Sequence, residues 1–145
     1  MTSLADVPRD LRHELTGAGL DLDALWQQVA AALAEDLPRG QVDTTTVATI
    51  PADQRTVAEL NAREQGVVAG LGVAALVLHA VNGQRVSVRD RVADGTVVHP
   101  GDHVMTVTGP TRGLLTAERT ALNFAGHLSG VATATAAWVE ALSGT

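Results

Sequence analysis

No cysteine, lysine or tyrosine occurs among the 145 residues, and there are only one phenylalanine and two tryptophans. Without cysteine the chain forms neither disulfides nor thiolate metal sites, which fits a reducing compartment. Without lysine, a Schiff base, a lysine-tethered prosthetic group or a lysine on a transferred phosphate is closed to this polypeptide acting alone. The scarcity of aromatic rings removes the stacking platforms that bind single strands. The ten basic residues are all arginine, scattered through a chain of net charge -6, so no stripe tracks nucleic acid phosphates and no nucleic acid partner is expected. No apolar run approaches the roughly 20 residues that cross a bilayer. The first dozen residues carry acids early and no apolar stretch of the signal-peptide kind, so the expectation is a cytoplasmic protein with no membrane partner.

Hydrophobic residues make up 46% of the chain against 18% charged, enough for a single domain with a real core. Pro8, Leu11 and Leu15 predict a short first helix ending at Gly17 or Gly19. From Asp21, a good N-cap, Leu22, Leu25, Trp26, Val29, Leu33 and Leu37 line one face of a second helix that Pro38 and Gly40 stop. Gln41 to Pro51 is threonine-rich without helical period and reads as a loop or extended arm. Thr56 to Ala62 alternates as a half-buried strand, and Val67 to Ala69 reads as a short strand that turns at Gly70 into a helix over Leu71 to Val81. Short antiparallel strands then follow over 85–89, 95–98 and 103–107, separated by turns at Asp94-Gly95, Pro100-Gly101-Asp102 and Gly109-Pro110. From Thr116 the chain turns helical almost to Ser143, with a kink or break expected at Ser129-Gly130. This order predicts an α+β domain with an antiparallel sheet covered by helices.

Most features that could carry chemistry have plainer readings. The turn-rich strands resemble half of a biotinyl or lipoyl carrier, but the tip lysine is missing. His99 and His103 are spaced as ligands on a helix face, which Pro100-Gly101 forbids. Asp90, Asp94 and Asp102 sit where carboxylates cap turns. The stretch from Thr116 to Gly130 differs. On a helix, Arg119, Asn123 and His127 fall at i, i+4 and i+8 and form one polar stripe, with Gly126 and Gly130 beside it. Glycine inside a helix costs roughly 1 kcal/mol against alanine, so the pair predicts close approach of another backbone or a ligand. The planar guanidinium fork of Arg119 suits a dicarboxylate or a phosphate; a solvated surface arginine is the competing reading.

The run Arg112-Gly113-Leu114-Leu115-Thr116-Ala117-Glu118-Arg119-Thr120-Ala121-Leu122-Asn123, followed by Leu128-Ser129-Gly130-Val131-Ala132-Thr133, resembles the signature segment of the quinolinate phosphoribosyltransferases. Upstream, Glu35-Asp36-Leu37, Asp43-Thr44-Thr45, Ile50-Pro51, Arg63-Glu64, Gly66-Val67-Val68-Ala69-Gly70, Asp94-Gly95 and Gly101-Asp102 agree in order. The resemblance implies an amino-terminal α/β sandwich over residues 1–114, then a helical segment over 115–145 leading into an α/β barrel absent from this sequence. It implies transfer of phosphoribosyl from phosphoribosyl pyrophosphate to quinolinate, giving nicotinate mononucleotide, pyrophosphate and carbon dioxide. Arg119 matches an arginine that reaches into a partner subunit's site and contacts a quinolinate carboxylate, so a homodimer or larger assembly is expected; Arg112 matches a family position without an assigned role. The resemblance places the remaining substrate-binding arginines and lysines, and the acids for magnesium, in the barrel. No cofactor is therefore expected on this chain and no turnover by it alone. The alternatives are a paralogous phosphoribosyltransferase and a non-catalytic dimerisation or regulatory module. Leu122, Phe124, Leu128, Val131, Trp138 and Leu142 are expected to lack part of their cover.

Overall fold

The computed structural model describes residues 1–37 and 44–143. A 3-10 turn at Leu4–Asp6 leads into α1 (Arg9–Gly17), α2 (Leu22–Asp36) and α3 (Thr44–Thr49). Strands β1 (Arg55–Asn61) and β2 (Gly66–Val67) precede α4 (Leu71–Asn82). Strands β3 (Ser87–Arg89), β4 (Val97–Val98) and β5 (His103–Pro110) run directly into α5 (Thr111–Ser143). The sheet is antiparallel in the order β1-β5-β3, and β2 pairs with β4 in a separate antiparallel ribbon. The α+β class expected from the sequence is what the chain adopts.

Helix α4 occupies the centre. Every residue from Leu71 to Ala80 is buried, as a helix apolar on all sides requires. Helices α1, α2 and α5 pack around it. Leu11 and Leu15 of α1, Leu25, Val29 and Leu33 of α2, and Met105 and Val107 of β5 join Leu76 and Val77 in one core. Each such side chain contributes roughly 1.5–3 kcal/mol of transfer free energy. Asp21 caps α2, its carboxylate accepting from the Ala24 amide at 3.0 Å.

Four expectations are corrected. Of the segment read as a loop, Thr44–Thr49 is helical, with 41–43 outside the described residues. Its threonines are poor helix formers, but Thr46 is buried and the Arg112 guanidinium holds the helix end, so tertiary contact overrides propensity. Gly109-Pro110 is not a turn: it is the end of β5, paired with Thr56 and Arg55. Gly109 is there because a Cβ would sit 3.2–3.3 Å from Leu114 and Val86 side chains. Helix α5 therefore starts at Thr111 rather than Thr116, crossing the 114/115 boundary without interruption. It also passes Ser129-Gly130 without a break.

The reason for that continuity is a side-chain zipper. Ser129 Oγ accepts from the Ala69 amide at 3.0 Å and donates to the Ala69 carbonyl at 3.1 Å. Thr133 Oγ1, one turn on, accepts from the Val67 amide at 2.9 Å and donates to the Ser129 carbonyl at 2.7 Å. Two hydroxyls at i and i+4 thus satisfy alternate residues of an extended chain, taking the place of a strand beside β2. Such approach requires glycine opposite: a Cβ at Gly66 would lie 2.7 Å from Thr133 Oγ1, and one at Gly70 would strike Leu128. Gly70 also has φ +82°, which glycine adopts without strain.

Candidate functional site

The site residues sit on the first half of α5, whose setting is over-determined. Thr111 donates its amide to the Gln54 carbonyl at 2.9 Å, and its hydroxyl meets that of Thr56 at 2.7 Å. Gly113 lies against Asn82, whose Oδ1 occupies the place a Cβ would take. Thr120, fully buried, donates to Asp36 Oδ2 at 2.6 Å. Nothing in spacing alone singled out Thr120; its neighbour Arg119 drew attention instead, and only packing shows that Thr120 anchors the turn.

Arg119, Asn123 and His127 are all exposed, and none of their side chains makes a hydrogen bond or ion pair with the described residues. Successive members of this stripe are about 6 Å apart along the axis. A surface groove joins Arg119 and Asn123 with Leu115, Glu118 and Leu122. Asn123 also borders a second groove, shared with His127, Phe124, Glu35 and Asp36 at the end of α2. The stripe therefore exists as a surface, with a cationic end at Arg119 and carboxylates near His127. Glu118 and Arg119, adjacent in sequence, point about 100° apart around the helix and form no ion pair.

Arg112 stands apart from these grooves. Its Nε donates to the Ile50 carbonyl at 2.7 Å and its Nη2 to the Val47 carbonyl at 3.1 Å. The guanidinium thereby serves the unpaired carbonyls at the end of α3, where a cation also matches the helix dipole. Gly126 and Gly130 face open space: a Cβ at either would meet no described residue within 4 Å, so no described backbone makes the close approach expected there. Helices α2 and α5 meet beside the His127 groove, yet among the described residues no group of three His, Cys, Asp or Glu side chains is placed to hold a metal ion. The magnesium implied by the resemblance thus has no ligand set among them. His99 and His103 engage local partners: the His99 amide donates to Asp102 Oδ2 at 2.8 Å, and His103 Nε2 lies 2.9 Å from Thr106 Oγ1. Among the described residues no helix is long and apolar enough to cross a membrane.

Residues 43–129 match the family described as quinolinate phosphoribosyl transferase, N-terminal domain. Among curated relatives, the nicotinate-nucleotide pyrophosphorylase [carboxylating] of Mycobacterium leprae is 47% identical over 128 residues, 86% of this chain and 44% of the relative. The chloroplastic enzyme of that name from Oryza sativa is 40% identical over 76% of this chain and 29% of its own. Among solved structures, NadC from Streptococcus pyogenes superposes with a TM-score of 0.80 at 38% identity, covering 86% of this chain and 43% of that one. The chain thus spans less than half the length of these relatives. Match and superposition together establish that it belongs to the quinolinate phosphoribosyl transferase family, in the part that forms the amino-terminal domain.

Proposed function

We propose that this chain supplies the amino-terminal part of an enzyme that transfers phosphoribosyl from phosphoribosyl pyrophosphate to quinolinate, releasing pyrophosphate and carbon dioxide and leaving nicotinate mononucleotide. In this reading Arg119 holds a quinolinate carboxylate across a subunit interface, and the rest of the site, with any magnesium, belongs to the barrel that completes the enzyme. Asn123 and His127 continue the same stripe. Arg112 acts at one remove, holding α3 against the start of the helix that carries Arg119. The observation that carries the reading is an exposed Arg119, unpaired among the described residues, on a helix anchored before it at Thr111 and after it at Ser129 and Thr133, inside the stretch that matches the family. The helix fixes the point from which the Arg119 side chain starts, and with no internal partner to give up its guanidinium fork is available for a two-bond grip on a carboxylate.

The test is steady-state phosphoribosyl transfer to quinolinate by the purified chain, alone and mixed with a separately expressed barrel fragment of a relative. No turnover alone and turnover on mixing are expected. Arg119→Ala should raise KM for quinolinate about ten- to a hundredfold, the worth of a charge-assisted hydrogen-bonded contact. Arg119→Lys keeps the charge but loses the fork, and should recover only a small part. Turnover by the chain alone, or full activity of the Ala variant in the mixture, would sink the reading.

A further inference from the structure

The carboxy-terminal end of the central helix α4 carries the pair Asn82-Gly83. In this dipeptide an asparagine is chemically least durable, because glycine puts no side chain in the way of its own amide nitrogen. That nitrogen can give up its proton and bond to the asparagine Cγ as the Cγ–Nδ2 bond breaks and ammonia leaves. Water then opens the cyclic imide to aspartate or isoaspartate. The fold nevertheless calls for both residues. Gly83 has φ +58° and ψ -135°, a conformation that favours glycine. Asn82 is 1% exposed; its Nδ2 donates to the Leu78 carbonyl at 2.9 Å, and its Oδ1 packs on Gly113 at the start of α5.

We propose that Asn82-Gly83 is a latent deamidation site, silent in the folded chain, reactive once α4 unravels, and irreversible because the product cannot take the place of the carboxamide. Each group that the reaction must move is held. The Gly83 amide donates to the His79 carbonyl, and the Gly83 carbonyl accepts from His79 Nδ1 at 2.9 Å. The Asn82 carbonyl accepts from Arg85 Nε at 3.3 Å. Asn82 itself has the helical ψ of -11°, and closing the imide ring requires rotation away from it, against these bonds and against Gly113. Aspartate at this position would bring a buried carboxylate against the Leu78 carbonyl, two acceptors with no donor between them, at the negative end of the helix dipole. Isoaspartate would add a methylene to the main chain where the peptide is held on both sides. Both products strike the contact that seats the first turn of α5.

The test is ageing of the purified chain in native buffer and in guanidinium chloride, side by side at one mildly alkaline pH and one temperature. The tryptic peptide from Glu64 to Arg85 carries Asn82 as its one asparagine, so its mass gain on exchange of ammonia for water, placed by fragment ions, reads the reaction directly. Deamidation at Asn82 should run at least about a hundredfold faster in denaturant, since a folded domain opens only rarely. After the denaturant is removed, the native fraction isolated by size exclusion should hold only unreacted chains. Asn82→Asp, made directly, should lower the thermal midpoint or leave the chain unfolded, without any ageing. Equal rates in the two solutions, no mass gain at Asn82 in denaturant, reacted chains recovered in the native fraction, or an unchanged midpoint in the Asp variant would each overturn the proposal.

Discussion

At the scale of single residues, the informative positions are those where two chemistries meet. His79 is buried on α4, and its Nδ1–H donates to the Gly83 carbonyl at 2.9 Å. Burial holds its pKa below the ordinary value of 6.5, which that hydrogen bond only partly opposes. Between the lowered value and 6.5 the unfolded chain binds a proton that the folded chain does not, so stability is complete above 6.5 and declines as pH falls through that interval. Urea unfolding at stepped pH should show this decline, and His79→Gln should flatten it. Asp6, held below its usual range by the Ser3 amide and hydroxyl, acts only at more acid pH, below its ordinary 3.8. Gly113 makes a different kind of demand. Gly113→Ala should destabilise by about 1–3 kcal/mol through overpacking against Asn82. Combining it with Asn82→Ala should give less than the sum of the single effects, readable as a double-mutant cycle by chemical denaturation. This contact is not visible in spacing, since Asn82 and Gly113 are 31 positions apart; the sequence marks Gly113 only as part of a motif.

At the scale of elements, what periodicity could reveal was revealed. Helices α1 and α2 and the short strands follow from apolar spacing, caps and turn residues, and Asp21 caps α2 as its type suggests. The errors share one cause. Thr44–Thr49, Gly109-Pro110 and Ser129-Gly130 all carry residues that normally interrupt structure, and each is overruled by a contact far away in sequence. The same zipper explains why Gly66 to Gly70 and Leu128 to Thr133 stood out separately as motif segments: they are two halves of one contact. Arg119, Asn123 and His127 were found as a stripe because helical spacing is local, whereas the apolar cavity between α5, β1 and β5 was missed because it needs those strands laid against the helix. Continuity of α5 has its own test. Gly130 is helical with open space around it, so Gly130→Ala should stabilise the isolated chain by about 0.5–1 kcal/mol, raising its thermal midpoint. A kinked helix at that position would yield no such gain.

At the scale of the whole molecule, the core ends before α5 does. Beyond the buried Leu114, Ala117, Ala121 and Ala125, the outer turns of the helix gather Val131, Trp138, Val139 and Leu142 within an arc of about 100°, all of them more than half exposed. Trp138 alone is 71% exposed. From Leu128 to Ser143 Glu140 is the single charged residue, so little opposes contact along this face. Sedimentation over micromolar concentrations should show the isolated chain associating, and Trp138→Glu with Leu142→Glu should return it to a monomer. A monomeric profile for the unaltered chain would remove the argument.

The unbroken α5, about 50 Å long at 1.5 Å per residue, also sets a rule for how this sequence can change. Arg119 is indexed to the zipper at Ser129 and Thr133 by a count of residues, and one inserted or deleted residue between them turns everything beyond it by about 100° and shifts it by about 1.5 Å. Substitutions in that interval can be absorbed one at a time; a change of length cannot. Length itself is the inherited quantity here, a ruler on which the spacing between a grip and its anchor is written.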